Sequence, residues 1–236
     1  MRIIYLIDFN CPYSYIGLER IKKAAESLNL DIEWEMRSFE LEPSAGKRQT
    51  ISTADRYADK YELSPEDASK KIAEIERVAL EDGLKINYKD MLLTSSKDAL
   101  RLTKFAQNMH PEITLNLVEA IFHANLVENE NIADIKVLTK IAISCGLEEY
   151  EAKKILENNY YNIEIYLDKE EALTNGITAT PCFIVYRNEE RLIIPGVFSA
   201  EEFEIALKDL SNGDLAGRSE ERRVGKECRA RWSPYH

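Results

Sequence analysis

The residues with the clearest chemical potential are Asp8-Phe-Asn-Cys11-Pro12-Tyr13-Ser14. Here a cysteine stands between a short, almost wholly apolar run (residues 3–9) and the start of a helical pattern. A thiol is strongly nucleophilic as its thiolate, and a helix N-terminus favours thiolate through unpaired N–H groups and the positive end of the dipole. Pro12 suits the first helical position, where its missing N–H costs nothing. Cys11 is then the N-cap, the N–H groups of Tyr13 and Ser14 are free to bond its sulfur, and the Ser14 hydroxyl lies one turn along. On these residues alone, an activated nucleophile and a buried structural cysteine stay equally open. A second feature is Thr180-Pro181, which opens the strand pattern of residues 182–186. Proline is permitted at the first position of a strand, and both a cis bond and an ordinary trans bond fit there.

The elements that must position these residues follow from periodicity. Residues 3–9 suit a buried strand. Leu18, Ile21, Ala25 and Leu28 then recur at helical spacing, and residues 31–39 alternate with period two. This predicts a β-α-β unit with Cys11 at the strand–helix junction. Apolar faces predict helices over 68–80, 97–109, 113–126, 134–145, 149–156 and 163–173, so five or six helices fall between about 52 and 175. Gly146 reads as a C-cap. After Gly176 the pattern predicts a hairpin of residues 181–186 and 191–194, broken by Pro195-Gly196. A last helix follows, with Ser199 and Glu202 as its capping box.

The chain has 236 residues, 44% hydrophobic and 31% charged, with a net charge of −11. That length can bury a substantial core, and the acidic balance lacks the basic footprint of nucleic-acid binding. No run of about 18 apolar residues is present, and the apolar start is too short for a signal peptide, so a cytoplasmic protein without membrane association is expected. Four cysteines, Cys11, Cys145, Cys182 and Cys228, are irregularly spaced and make no disulfide framework. No His/Cys cluster has metal-ligand spacing, and no glycine-rich phosphate loop occurs. Residues 218–236 carry six basic against three acidic residues, so residues 1–217 hold −14. This end has no apolar stripe and resembles the translation of a DNA-sequencing adapter. Residues 214–236 are therefore expected to be a disordered, artefactual tail, and Cys228 and Trp232 leave the functional inventory.

Four stretches carry a family resemblance: Asp8-Phe-Asn-Cys-Pro-Tyr-Ser-Tyr-Ile-Gly17, Arg37-Ser-Phe-Glu-Leu-Glu-Pro43, Phe122-His-Ala-Asn-Leu-Val-Glu-Asn-Glu-Asn-Ile-Ala133, and Gly176-Ile-Thr-Ala-Thr-Pro-Cys-Phe-Ile-Val185 with Pro195-Gly196. Together they resemble the FrnE-like branch of the DsbA-like oxidoreductases. The resemblance implies an α/β thioredoxin fold with a large helical insertion. Residues 1–50 and 174–213 would form the thioredoxin-like domain and 51–173 the inserted helical subdomain. It implies a thiolate at Cys11, catalysis by Cys11 with Ser14 beside it, and substrate binding by Pro12, Tyr13, Thr180 and a cis-Pro181. The family pattern is Cys-x-x-Cys, and Ser14 holds the second cysteine position. Cys11 can attack a disulfide, but its release must come from glutathione, a substrate thiol or another cysteine. Cys182 is the candidate resolving thiol, although strand alternation can point it into the core.

The weaker polar candidates are His110, as a loop residue, and His123, on a helix that could border the groove. Asp8, Glu35 and Glu40 are acids expected near the site, Tyr13 and Tyr15 an aromatic rim, and Cys145 a buried inert thiol. The expected function is a cytosolic thiol–disulfide oxidoreductase or isomerase working through one cysteine. Its partner is a disulfide-containing protein or a glutathione substrate, glutathione is the co-substrate, and no bound cofactor or metal is expected. The alternatives are a glutathione-dependent transferase or isomerase resembling the kappa-class and hydroxychromene-carboxylate isomerase enzymes, and a non-catalytic peptide-binding module of the same fold. Monomer and homodimer are both open.

Overall fold

A computed structural model describes residues 1–213 of the chain; the expected tail at 214–236 lies outside them. The elements run β1 (Arg2–Ile7), α1 (Pro12–Ser27), β2 (Glu33–Ser38), seven helices, β3 (Cys182–Arg187), β4 (Glu190–Pro195) and α9 (Ala200–Asn212). The intervening helices are α2 (Thr53–Tyr61), α3 (Pro65–Glu81), α4 (Lys97–Met109), α5 (Pro111–Leu126), α6 (Ile135–Ser144), α7 (Glu149–Leu156) and α8 (Asn162–Thr174), with a short 3-10 turn at Tyr88–Asp90. The β-α-β, inserted helices, β-β-α order is the one expected from the sequence. One helix more than expected stands in the insertion among the described residues. It is α2, which begins where the Ser52 side chain accepts the Asp55 N–H.

The sheet order is β2-β1-β3-β4, with β1 parallel to β2 and antiparallel to β3. β1 is central, so both its faces are covered and its alternation serves two cores. Ile3, Tyr5 and Ile7 enter the large core shared with α1, α9 and the inserted helices. Ile4 and Leu6 enter a smaller cluster with Phe39, Ala172 of α8, Ile177 and Cys182. The helix starts follow local chemistry. Pro12, Pro65 and Pro111 each stand in a first turn. The capping box of α9 forms as predicted, Ser199 accepting from the Glu202 N–H and the Glu202 carboxylate accepting from the Ser199 N–H. Gly146 follows α6 at φ +102°, a conformation that glycine adopts without strain.

A buried ionic knot ties the insertion to the edge strand. Asp168 of α8 accepts from Lys104 of α4 at 2.7 Å, from Arg37 of β2 at 2.9 Å and from the Ser38 N–H at 2.9 Å. A buried carboxylate with three such partners is well compensated.

Candidate active site

Cys11 is the N-cap of α1 and 7% exposed. The turn that leads into it is closed by its N–H donating to the Asp8 carbonyl at 3.0 Å. Its Sγ donates to the carbonyl oxygen of Thr180 at 3.6 Å, which brings together two segments 169 positions apart in the chain. The Thr180–Pro181 peptide bond is cis. Gly17, one turn and a half along α1, permits this approach. A Cβ there would stand 3.1 Å from Pro181 Cγ and 3.2 Å from the Phe183 ring.

The buried surroundings of the sulfur act against the thiolate expected at this helix terminus. Burial pushes the Cys11 thiol up, and the neighbouring Asp8 carboxyl adds to that. The Thr180 and Ser14 side chains and the Ser14 N–H act the other way without prevailing. No capping hydrogen bond to Sγ reaches normal geometry: the Ser14 N–H donates to the Cys11 carbonyl at 3.0 Å, while lying near enough to the sulfur to favour its ionised form. Ser14 is fully buried and Thr180 nearly so. Neither hydroxyl has a partner at normal hydrogen-bond geometry, yet both lie near enough to the sulfur to favour its ionised form. Two donors thus wait beside a sulfur that does not use them until it ionises.

The other expected residues are distributed as follows. Pro12 is buried and Tyr13 half-buried against the large core. Tyr15 does not form a rim: it is 8% exposed and stacks on Phe122 with ring centroids 5.1 Å apart. Cys182 points into the small cluster with Ile4, Leu6, Phe39 and Ala172, and burial pushes its thiol up to about 12. Cys11, Cys145 and Cys182 are all free thiols. Cys145 is the C-cap of α6 and only half-buried. Glu35 is held by Arg2 and Arg37. His110 caps α5 and meets Glu151 at 3.3 Å, while His123 is half exposed, 3.9 Å from Glu128. Asp8 is fully buried. Its carboxylate accepts the Asn10 N–H at 3.1 Å and the Leu41 N–H at 2.6 Å, yet burial still pushes it up. Glu40 is also raised, by burial and by the Asp8 charge. No group of three or more metal-ligating acids, histidines and cysteines exists among the described residues. Nor is any helix among them long and apolar enough to cross a membrane.

Sequence reasoning missed the cover over this site. Tyr88, 6% exposed in the 3-10 turn, lies within electrostatic reach of Cys11, with Tyr57 and Tyr61 of α2 and Arg56 around the same phenol. Burial, then the Cys11 charge, pushes that phenol up. The Tyr57 and Tyr61 rings are 4.5 Å apart. The signal was an i, i+4 tyrosine pair in a segment with too few aliphatic residues to show a helical stripe.

The sequence pattern of the DSBA-like thioredoxin domain family matches residues 2–208. The uncharacterized protein YwbO of Bacillus subtilis is 28% identical over 208 residues, covering 86% of this chain and 93% of that one. The crystal structure of a probable DsbA oxidoreductase from Streptomyces coelicolor superimposes with a TM-score of 0.80 at 27% identity, covering 89% of each chain. The cytosolic disulfide reductase DsbM from Pseudomonas aeruginosa shares the fold, with a TM-score of 0.61 at 15% identity over 90% of this chain and 99% of that one.

Proposed function

The chain belongs to the DSBA-like thioredoxin domain family, and from that premise we propose that it is a thiol–disulfide oxidoreductase or isomerase working through Cys11 alone. The observation that carries this reading is the contact of Cys11 Sγ with the Thr180 carbonyl, with Ser14 where the family's second cysteine belongs. When a disulfide R–S–S–R′ docks, Cys11 loses its proton to solvent, and the Ser14 and Thr180 hydroxyls then have a charge to bind. The thiolate attacks one sulfur. A Cys11–S–R bond forms, the S–S bond breaks, and R′–S⁻ leaves and takes up a proton. Ser14 has no sulfur to expel R, so a second thiol completes the cycle: it attacks the mixed disulfide, forms a new disulfide with R and returns Cys11 as thiolate. Glutathione supplies that thiol in net reduction, and a thiol of the substrate itself supplies it in isomerisation. The reading gives Pro12, Tyr13, Thr180 and Pro181, which adjoin Cys11 in sequence or across its Thr180 contact, the binding of the substrate. A reducing compartment such as the cytosol suits a site that depends on an outside thiol, and no bound cofactor is needed.

The test is steady-state reduction of a glutathionylated peptide. Turnover should rise with glutathione concentration and vanish in Cys11→Ser while persisting in Cys145→Ser. Turnover retained in Cys11→Ser sinks the reading.

A further inference from the structure

The motif around Phe122–Ala133 has one residue that the exchange chemistry does not use. Asn125 of α5 is fully buried. Its Nδ2 donates to the Phe9 carbonyl at 2.9 Å and to Asn10 Oδ1 at 3.1 Å, and approaches the Met91 sulfur at 3.6 Å. Its Oδ1 is buried without a partner, so the side chain acts there wholly as a donor. Phe9 and Asn10 are the two residues before Cys11. Met91 closes the 3-10 turn that carries Tyr88, its N–H donating to the Tyr88 carbonyl at 3.3 Å.

The same few residues tie this cover down again on either side. Asn10 Nδ2 donates to the Thr94 carbonyl at 2.8 Å, and the Asn87 N–H donates to the Leu126 carbonyl at 2.7 Å. Asn129, one turn after Asn125, donates to the Asn87 carbonyl at 2.9 Å and accepts from Asn87 Nδ2 at 2.8 Å. Residues 87–94 therefore reach the Cys11 turn through amide side chains, and Asn125 is the one that grips both.

We propose that Asn125 is a positioning residue: by holding the Phe9–Asn10 backbone and the Met91 end of the covering segment at once, it sets how far the inserted helices cover Cys11 and where its sulfur lies against Thr180. This gives the helical insertion a role in the exchange reaction and rests on the reading of Cys11 as its nucleophile. A buried amide bridge of this kind resists displacement, because moving either side leaves the Phe9 carbonyl or Asn10 Oδ1 without its donor. Asn125→Asp is the sharp perturbation. It keeps the shape and turns the donor into an acceptor that faces two acceptors.

The experiment follows iodoacetamide alkylation of Cys11 across pH, together with kcat/KM for a glutathionylated peptide, at a temperature where near-ultraviolet circular dichroism shows each variant folded. Asn125→Ala should alkylate about tenfold faster at pH 7, with the profile moved to lower pH by roughly one unit as the sulfur is uncovered, and Asn125→Asp should alkylate faster at alkaline pH while its added carboxylate opposes the downward move of the profile. Over the same variants kcat/KM should fall about tenfold because the sulfur leaves its place at Thr180. The ionisable groups that face Cys11 are Asp8 and Tyr88; both are retained throughout, and Asn125→Ala and Asn10→Ala add no other. Leu138→Ala, a buried truncation in α6 without these contacts, should lower the melting temperature and move neither readout. Asn10→Ala, which cuts the bridge from the other side, should shift both in the same directions and carries the test if the Asn125 variants do not fold. Alkylation rates and profiles equal to wild type in these variants overturn the proposal. If wild-type Cys11 turns over no disulfide while the variants still change its alkylation, the functional reading falls and the positioning role stands.

Discussion

Ser14→Cys isolates what this site lacks. Ser14 is fully buried and its hydroxyl has no hydrogen-bond partner at normal geometry. Replacing oxygen by sulfur therefore breaks no bond of the closed form, and the small volume increase costs under about 1.5 kcal/mol. In the wild type, a glutathione mixed disulfide on Cys11 is discharged only by collision with another thiol, so its loss should be linear in glutathione with a zero intercept. The introduced thiol lies within the same first helical turn as Cys11. A tether this short gives an effective concentration of at least on the order of 10 mM. At about 1 mM glutathione, discharge should then be roughly tenfold faster than wild type and almost independent of glutathione. The assay is single turnover: the adduct is formed with oxidised glutathione, the excess is removed, and intact mass is followed at several glutathione concentrations. The variant should also reduce insulin when recycled by a small dithiol, which the wild type should not do efficiently. The reasoning is refuted if the variant's discharge remains linear through zero. It is equally refuted if the wild type already shows a glutathione-independent rate, since that reveals a resolving group elsewhere.

Three further outcomes are expected. Cys182→Ala should lose about 1–2 kcal/mol of stability in urea titration through the small cavity it leaves and should discharge the Cys11 adduct within about twofold of wild type, because the Cys182 side chain belongs to the cluster under α8. Gly17→Ala places a methyl 3.1 Å from Pro181; a packing cost of about 1–3 kcal/mol, offset by about 1 kcal/mol of helix propensity, should leave a net loss near 1 kcal/mol and a lower kcat/KM. Asp8 is raised from 3.8 by burial, opposed by the Leu41 and Asn10 N–H groups. The folded state therefore holds its proton more tightly than the unfolded chain. Its contribution to stability is complete below pH 3.8 and declines as pH rises through the raised value, with a slope of up to about 1.4 kcal/mol per pH unit. Urea titrations across pH should show this slope removed in Asp8→Asn, and an unchanged slope contradicts the assignment.

Much of the fold was legible because its signals are local. Pro12 after Cys11 marked the start of α1, Ser199 with Glu202 marked α9, and the aliphatic stripes of α4 and α7 gave their bounds to the residue. What sequence hid is tertiary. The α2 helix carries its buried face on Tyr57 and Ala58, too sparse for a periodic stripe. The Met91 segment and Asn125 meet the turn before Cys11 only through tertiary packing, and nothing in their spacing announces it. The influence of burial on Cys11 was hidden in the same way. An N-cap position favours the thiolate through its local backbone, but burial acts against it, and Tyr88, within electrostatic reach of the sulfur, lies 77 positions further along the chain. The opposite holds for Cys182, where strand alternation from Pro181 already allowed the inward orientation found.

The most direct measurement of the central claim is a peptide map of the wild-type protein after treatment with oxidised glutathione under non-reducing conditions. A single nucleophile without a resolving partner predicts one glutathione per chain, attached to Cys11, stable after the reagent is removed and lost when reduced glutathione is added. An internal disulfide between Cys11 and Cys182, or glutathione carried by Cys145 with Cys11 unmodified, would contradict it.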